Sequence, residues 1–233
     1  MVARGVDWQG VKLVVFDLDG TLYDQKKLRR RMVARLLLHA MTKPHQASDL
    51  HILRTFRELR EHMAGESDII ERPYDLTAAQ LGVRPERVHQ VVDDWLQLRP
   101  LPDLLATRYP GVDQLFASLK RQGKKIAVLS DYPADAKLAA MQLAVDFAFS
   151  AVDPDIDCLK PNPKGLRRVL EKTGVQPLEA LMIGDRDDRD GEIARRVGVP
   201  YLIRKGREAG PEDAHAFSDF LSLLHHPVLA RAA

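Results

Sequence analysis

The stretch Val14-Val15-Phe16-Asp17-Leu18-Asp19-Gly20-Thr21-Leu22-Tyr23 decides the fold. Its first residues close an apolar run, 12–16, of the kind buried on both faces in a parallel sheet. The run stops at two carboxylates spaced i, i+2, followed by Gly-Thr. Residues two apart in a strand share a face, but a chain leaving a strand need not keep that period, so Asp17 and Asp19 can serve one site in different geometries. Ligands of open α/β sheets bind at the carboxyl ends of the strands. Two acids placed there suggest a nucleophile with an acid/base partner, or the start of a metal site. The plainer alternative is an acidic turn, since Asp and Gly are ordinary turn residues.

Outward from this segment, four more short apolar runs read as strands: 125–129, 147–152, 180–183 and 200–203. Amphipathic stretches with recognisable stops separate them. Leu115, Phe116 and Leu119 precede Gly123; Pro133 opens a helix through Leu143; Pro163 opens another that stops at Gly174; 192–197 ends at Gly198. Strands alternating with helices predict βαβ units and a doubly wound, parallel, five-stranded α/β sheet. The alternation fails once. Residues 25–108 contain no strand pattern, whereas 28–41, 50–64 and 86–98 show helical spacing, 74–81 reads as a shorter helix, and Pro44, Gly65 and Pro100 punctuate them. An all-helical insertion of ~80 residues is too long for a loop, so it reads as a second, smaller domain (25–108) set into a core of 1–24 and 109–233.

Three further strand ends carry chemistry. The second strand runs into Ser130-Asp131-Tyr132-Pro133, where a hydroxyl beside free backbone amides suits a phosphate oxygen, or caps the next helix. In Asp157-Cys158-Leu159-Lys160-Pro161-Asn162-Pro163, flanking prolines restrict the backbone around Lys160, a cation able to offset clustered carboxylates or simply to face solvent. Strand 180–183 leads into Gly184-Asp185-Arg186-Asp187-Asp188-Arg189-Asp190-Gly191, a carboxylate cluster suited to a hard cation.

An aspartate pair, Ser, Lys-Pro, and Gly-Asp with a later Asp, in that order at strand ends, resembles the four-motif arrangement of the haloacid dehalogenase-like (HAD) hydrolase superfamily, phosphatase type, over about 12–204 apart from the insertion. The resemblance implies that Asp17 attacks phosphorus to form an aspartyl-phosphate, dividing one hard displacement into two easier ones. It implies that Asp19 protonates the leaving alcohol and then activates water, a role favoured by a raised pKa. Thr21, Ser130, Asp131 and Lys160 would handle phosphate and charge; Asp131 stands where relatives often carry Asn or Gly and adds a negative charge. Asp17, the main-chain carbonyl of Asp19, and Asp185 would hold Mg²⁺, with Asp190 capping a helix or holding the metal's waters and Lys160 from behind. Asp187 and Asp188 are expected to be solvated. The insertion falls where the C1-type cap of phosphoglycolate-phosphatase-like members sits, and such a cap closes over the site.

These implications describe a Mg²⁺-dependent hydrolase of a small phosphorylated metabolite. Haloacid dehalogenases and phosphonate-cleaving relatives lack an acid at the position of Asp19, so its presence argues against both. A sugar phosphomutase keeps both acids and stays open, as does a non-catalytic module acting through the insertion.

Composition is that of an ordinary globular protein: 233 residues, 45% hydrophobic and 29% charged. A net charge of +2 gives no bulk electrostatic case for nucleic acid. No apolar run approaches the ~20 residues that span a bilayer, and Met1 to Gly10 lacks a signal-peptide core, so a cytoplasmic location is expected. The single cysteine, Cys158, excludes an internal disulfide and reads as an inert thiol in a reducing compartment. Arg29-Arg30-Arg31 reads as a solvated helix face. Arg54, Arg57 and Arg60, at i, i+3, i+6 on an inserted helix, face solvent or meet an anionic substrate.

Overall fold

Strand β1 (Leu13–Phe16) is buried along its whole length, as an apolar run with no polar face requires. In the computed structural model, which describes residues 6–42, 48–206, 213–225 and 229, it lies inside a fully parallel sheet. β1 pairs on one side with β2 (Lys125–Ser130), which pairs with β3 (Phe147–Ser150). On its other side it pairs with β4 (Ala180–Gly184), followed by β5 (Tyr201–Arg204) and β6 (Ala216–Phe217). The order is therefore β3-β2-β1-β4-β5-β6, and the chain reverses direction across the sheet between β1 and β4. The sheet has six strands rather than the expected five. β6 has two residues, too few to show any periodicity in sequence.

Helices α6 (Val112–Arg121), α7 (Asp135–Ala140), α8 (Lys164–Thr173), α9 (Glu192–Val197) and α10 (Phe220–Leu224) accompany these strands. α8 and α9 end at Gly174 and Gly198 in left-handed conformations that close a helix without a Cβ clash. α7 is shorter than the expected 133–143, because Gln142 turns to φ 57° and ends helical winding. Apolar clusters cover both faces of the sheet: one around Val14, Phe16, Phe116, Val128 and Ile183, the other around Leu13, Val15, Leu166, Met182 and Ile193.

Between β1 and β2 stand α1 (Gln25–Thr42), α2 (Ser48–His62), α3 (Arg72–Leu81), α4 (Pro85–Val92) and α5 (Leu101–Thr107). α5 was not legible as a helix. α4 runs on through Asp93–Leu98 as one wider π-helical turn, closed by Arg99 N–H donating to Asp94 O at 2.9 Å. These helices do not share one core. Phe56, Ile52, Val88, Val91 and Trp95 form their own cluster, whereas Leu28, Met32 and Leu104 join the core beneath the sheet. No described helix is long and apolar enough to cross a membrane.

Candidate active site

The reversal between β1 and β4 opens a crevice at their carboxyl ends. Asp17 leaves β1 there, with its N–H donating to Ile183 O of β4 at 2.9 Å, so the sheet ladder fixes its backbone. Asp185 leaves β4 beside it. Gly20, at φ +100°, passes so close that a Cβ would collide with Asp185 Oδ2; Gly184 lies equally close against the Asp190 carboxylate. These two glycines let the carboxylates converge.

A hydrogen-bonded set joins five of the expected residues. Lys160 Nζ donates to Asp17 Oδ1 at 2.5 Å and to Asp190 Oδ1 at 2.6 Å. Thr21 Oγ1 lies 2.8 Å from Asp17 Oδ2 and 3.4 Å from Asp185 Oδ1. The second oxygen of Asp190, a residue only 1% exposed, accepts the Asp185 and Arg186 amides at 3.3 and 3.2 Å. Asp190 thus fastens Lys160 to the loop after β4, and it bonds back toward the strand rather than capping α9. Burial pushes Asp17 up to about 7, with the charges of Asp190 and Asp19 adding to it and Lys160 opposing. Burial and then Asp17 push Asp185 up to about 6. Burial works against the Lys160 ammonium, but Asp17, Asp190 and Asp131 outweigh it and hold its pKa well above the ordinary value.

Carboxylate oxygens of Asp17, Asp185 and Asp190 lie within 4.8 Å of one another. One lysine underneutralises these three acids, and their hard oxygen donors suit a small dication.

Asp19 stands apart from this set. Lys137 Nζ, from the first turn of α7, donates to both its oxygens at 2.8 and 2.9 Å, and the Tyr23 hydroxyl donates to Oδ1. Burial alone would raise the Asp19 carboxyl; Lys137 and then Tyr23 carry it below the ordinary range instead. The raised pKa expected for a leaving-group acid is therefore absent in this resting arrangement. Neither Lys137 nor Tyr23 was singled out from sequence. The available signal was position: Lys137 sits in a helix that starts at the sheet's reactive edge.

Ser130, 1% exposed, uses its Oγ to accept the Tyr132 amide at 3.1 Å and lies behind the cavity wall. Asp131 is on the wall, its carboxylate accepting from Lys160 N at 3.3 Å and from Arg189 at 3.4 Å. Asp187 and Asp188 are exposed and pair with Arg195 and Arg186. Buried Cys158 has its thiol pKa raised by burial, consistent with an inert group.

Inserted helices roof a cavity of about 180 Å³ over Asp17, Asp19 and Asp185. The arginine row of α2 splits three ways. Arg54 is exposed and paired with Glu58; Arg57 lines the cavity; Arg60 is buried, donating to the carbonyls of Asp131 at 2.5 Å and Ile69 at 3.4 Å. The α1 cluster is solvated in part: Arg29 and Arg30 are exposed, Arg29 also lines the cavity, and Arg31 pairs with Asp103.

The family model described as haloacid dehalogenase-like hydrolase matches residues 11–198. Glyceraldehyde 3-phosphate phosphatase of Methanopyrus kandleri is 30% identical over 208 residues, covering 84% of this chain and 85% of that one. Phosphoglycolate phosphatase of Mesorhizobium japonicum is 28% identical, with 95% and 97% covered. Among solved structures, a 2-haloacid dehalogenase from Pseudomonas syringae pv. Tomato superposes with TM-score 0.64 at 22% identity, covering 96% of this chain and all of that one, a likeness of fold. The chain belongs to the haloacid dehalogenase-like hydrolase family.

Proposed function

We propose that this protein is a Mg²⁺-dependent phosphomonoester hydrolase acting on a small phosphorylated metabolite through an aspartyl-phosphate on Asp17. The observation that carries this reading is the presence of two strand-end carboxylates in one cavity with different surroundings: Asp17 gripped by Lys160 and Thr21, Asp19 held separately by Lys137 and Tyr23. A dehalogenase needs only the first. The relatives named phosphatases for glyceraldehyde 3-phosphate and phosphoglycolate support the substrate size.

The Asp17 and Asp185 carboxylates, with the Asp19 main-chain carbonyl by family resemblance, would hold Mg²⁺, which supplies charge neutralisation for the phosphoryl oxygens. Asp17 attacks phosphorus as the P–O bond to the alcohol breaks, and Lys160 steadies the nucleophile and an equatorial oxygen. Asp19 gives its proton to the departing oxygen and later takes one from the water that splits the acyl phosphate. In the resting arrangement Asp19 is an anion; the arriving phosphate dianion raises its proton affinity, as a like charge does. The helices of 25–108 act as a lid that excludes bulk water and selects the organic part of the substrate.

The test is a phosphate-release screen with Mg²⁺ over sugar phosphates, phosphoglycolate, nucleotides and cofactor phosphates, with products identified. Inorganic phosphate is expected. An isomerised sugar phosphate would make the protein a mutase, and no turnover of any compound would leave the module reading.

A further inference from the structure

We infer that the cavity contains a second anion subsite formed by Arg57 and Arg29, so that the substrate is a phosphomonoester whose organic part carries another anionic group, a carboxylate or a second phosphate. The inference rests on the phosphatase reading and specifies its substrate class.

Most cations around the cavity are already engaged. Lys160 and Lys137 are held by Asp17, Asp190 and Asp19; Arg186 and Arg189 pair with Glu61; Arg60 donates to two carbonyls. Arg57 and Arg29 differ: among the described residues neither guanidinium has a hydrogen bond or an ion pair, yet both line the cavity. Arg57 is half-buried, and removing a guanidinium from water without a partner is unfavourable. Tyr132 offsets part of that cost, Arg29 adds to it, and Tyr23 and Asp19 offset it further. Two guanidiniums without an ion pair on the lining of one cavity form a site that an anion stabilises. Guanidinium forks suit carboxylate and phosphate alike.

Position separates this subsite from the one for the transferred phosphate. That group needs Asp17, Lys160 and the metal carboxylates, all on core strand ends or core loops, whereas Arg57 and Arg29 come from α2 and α1 of the insertion. Trp95, Leu96 and Met32 line the same roof and give the linking carbons an apolar surface. The cavity therefore presents apparatus for phosphoryl transfer at its floor and a cationic clamp in its roof.

The experiment compares kcat/KM, with Mg²⁺, for matched pairs: phosphoglycolate against ethyl phosphate, and fructose 1,6-bisphosphate against fructose 6-phosphate, with p-nitrophenyl phosphate reporting the phosphatase reading itself. A charge-assisted contact predicts a preference on the order of 10–100-fold for the anionic member of one pair, and which pair shows it identifies carboxylate or phosphate. Arg57→Gln and, at an exposed position where folding is safe, Arg29→Gln should each reduce that preference about tenfold or more, while Arg54→Gln, which points outward, should leave it intact. Equal rates within both pairs, alongside turnover of p-nitrophenyl phosphate, would overturn the subsite and spare the phosphatase reading. Equal losses on both members in Arg57→Gln would place Arg57 on the transferred phosphate and also overturn it. Absence of turnover on every compound would overturn both.

Discussion

The sheet edge and the inserted helices hold their charges differently. At the edge, Asp17, Asp190 and Lys160 form a closed buried network whose backbones are fixed by strands or tied to them. On the inserted helices, the Arg54–Glu58 pair lies exposed, Arg35 reaches from the surface to buried Asp103, and Arg57 and Arg29 line the cavity without an ion pair. Reaction chemistry tolerates little misplacement, so it sits on rigid elements. Selection among metabolites needs groups left free for the ligand; α2, packed in a small core of its own, offers Arg57, and α1, whose Leu28 and Met32 join the core beneath the sheet, offers Arg29 at an exposed position.

If that division holds, the greatest loss follows a change at the strand end. Asp17→Asn keeps the residue's shape and removes the proposed nucleophile, so kcat should fall by on the order of 10⁴–10⁶ while the far-ultraviolet circular dichroism is unchanged. Near-normal turnover by the folded variant would end the covalent mechanism and the contrast drawn from it.

Next comes the partner strand end. Asp185→Ala removes one of the clustered carboxylates, and the Mg²⁺ concentration for half-maximal rate should rise at least on the order of 10²-fold. Mg²⁺ should also raise the melting temperature of the parent protein, because a ligand that binds only the folded state stabilises it, and this increment should largely vanish in Asp185→Ala. Equal increments in both proteins would move the ion elsewhere.

Lys137→Met tests a bridge between regions distant in sequence. It leaves Asp17, Asp185 and Asp190 untouched but releases Asp19 from the ammonium that donates to both its oxygens. The change lifts the Asp19 proton affinity, as an acid role favours, but removes the two-oxygen grip that orients the carboxyl. General acid–base catalysis contributes about 10²–10⁴-fold, so a misoriented Asp19 should lower kcat by on the order of 10² with KM nearly constant. The deficit should be larger for ethyl phosphate than for p-nitrophenyl phosphate, whose leaving group departs without a proton. An equal deficit on both would make Lys137 merely structural.

Much of this was legible in sequence, for reasons the two regions make plain. Strands buried on both faces read as apolar runs, and acids that follow them inherit a direction from the sheet; Asp17, Asp185 and the order of motifs needed nothing more. β6 was too short to read. The arginines of α2 were illegible because three-residue steps on a 3.6-residue helix advance around the axis, which spreads Arg54, Arg57 and Arg60 from solvent through cavity to core. Lys137 was missed because its partner lies 118 positions away, a separation that local pattern cannot bridge.

The smallest effects should come from the carboxylates between Asp185 and Asp190. Composition alone makes the four acids of this loop look equivalent, but the structure ranks them. Asp187 and Asp188 are exposed and project to Arg195 and Arg186, and neither carboxylate belongs to the cluster around Asp17. Surface pairs of this kind contribute about 0–1 kcal/mol. Asp188→Ala frees one side of Arg186, which Glu61 still holds at 2.7 Å. Asp187→Ala loosens Arg195 on α9, which Glu192 and Tyr201 still hold. Each should therefore lower kcat/KM by less than about tenfold, or ~1.4 kcal/mol, with the Mg²⁺ requirement unmoved. The effect should shrink further in 0.5 M salt, where exposed pairs are screened already in the parent. If either variant matched Asp185→Ala in Mg²⁺ titration, the ion would be held by the loop rather than by the strand ends, and the contrast between a rigid chemical edge and an adaptable roof would have to be redrawn around a mobile metal site.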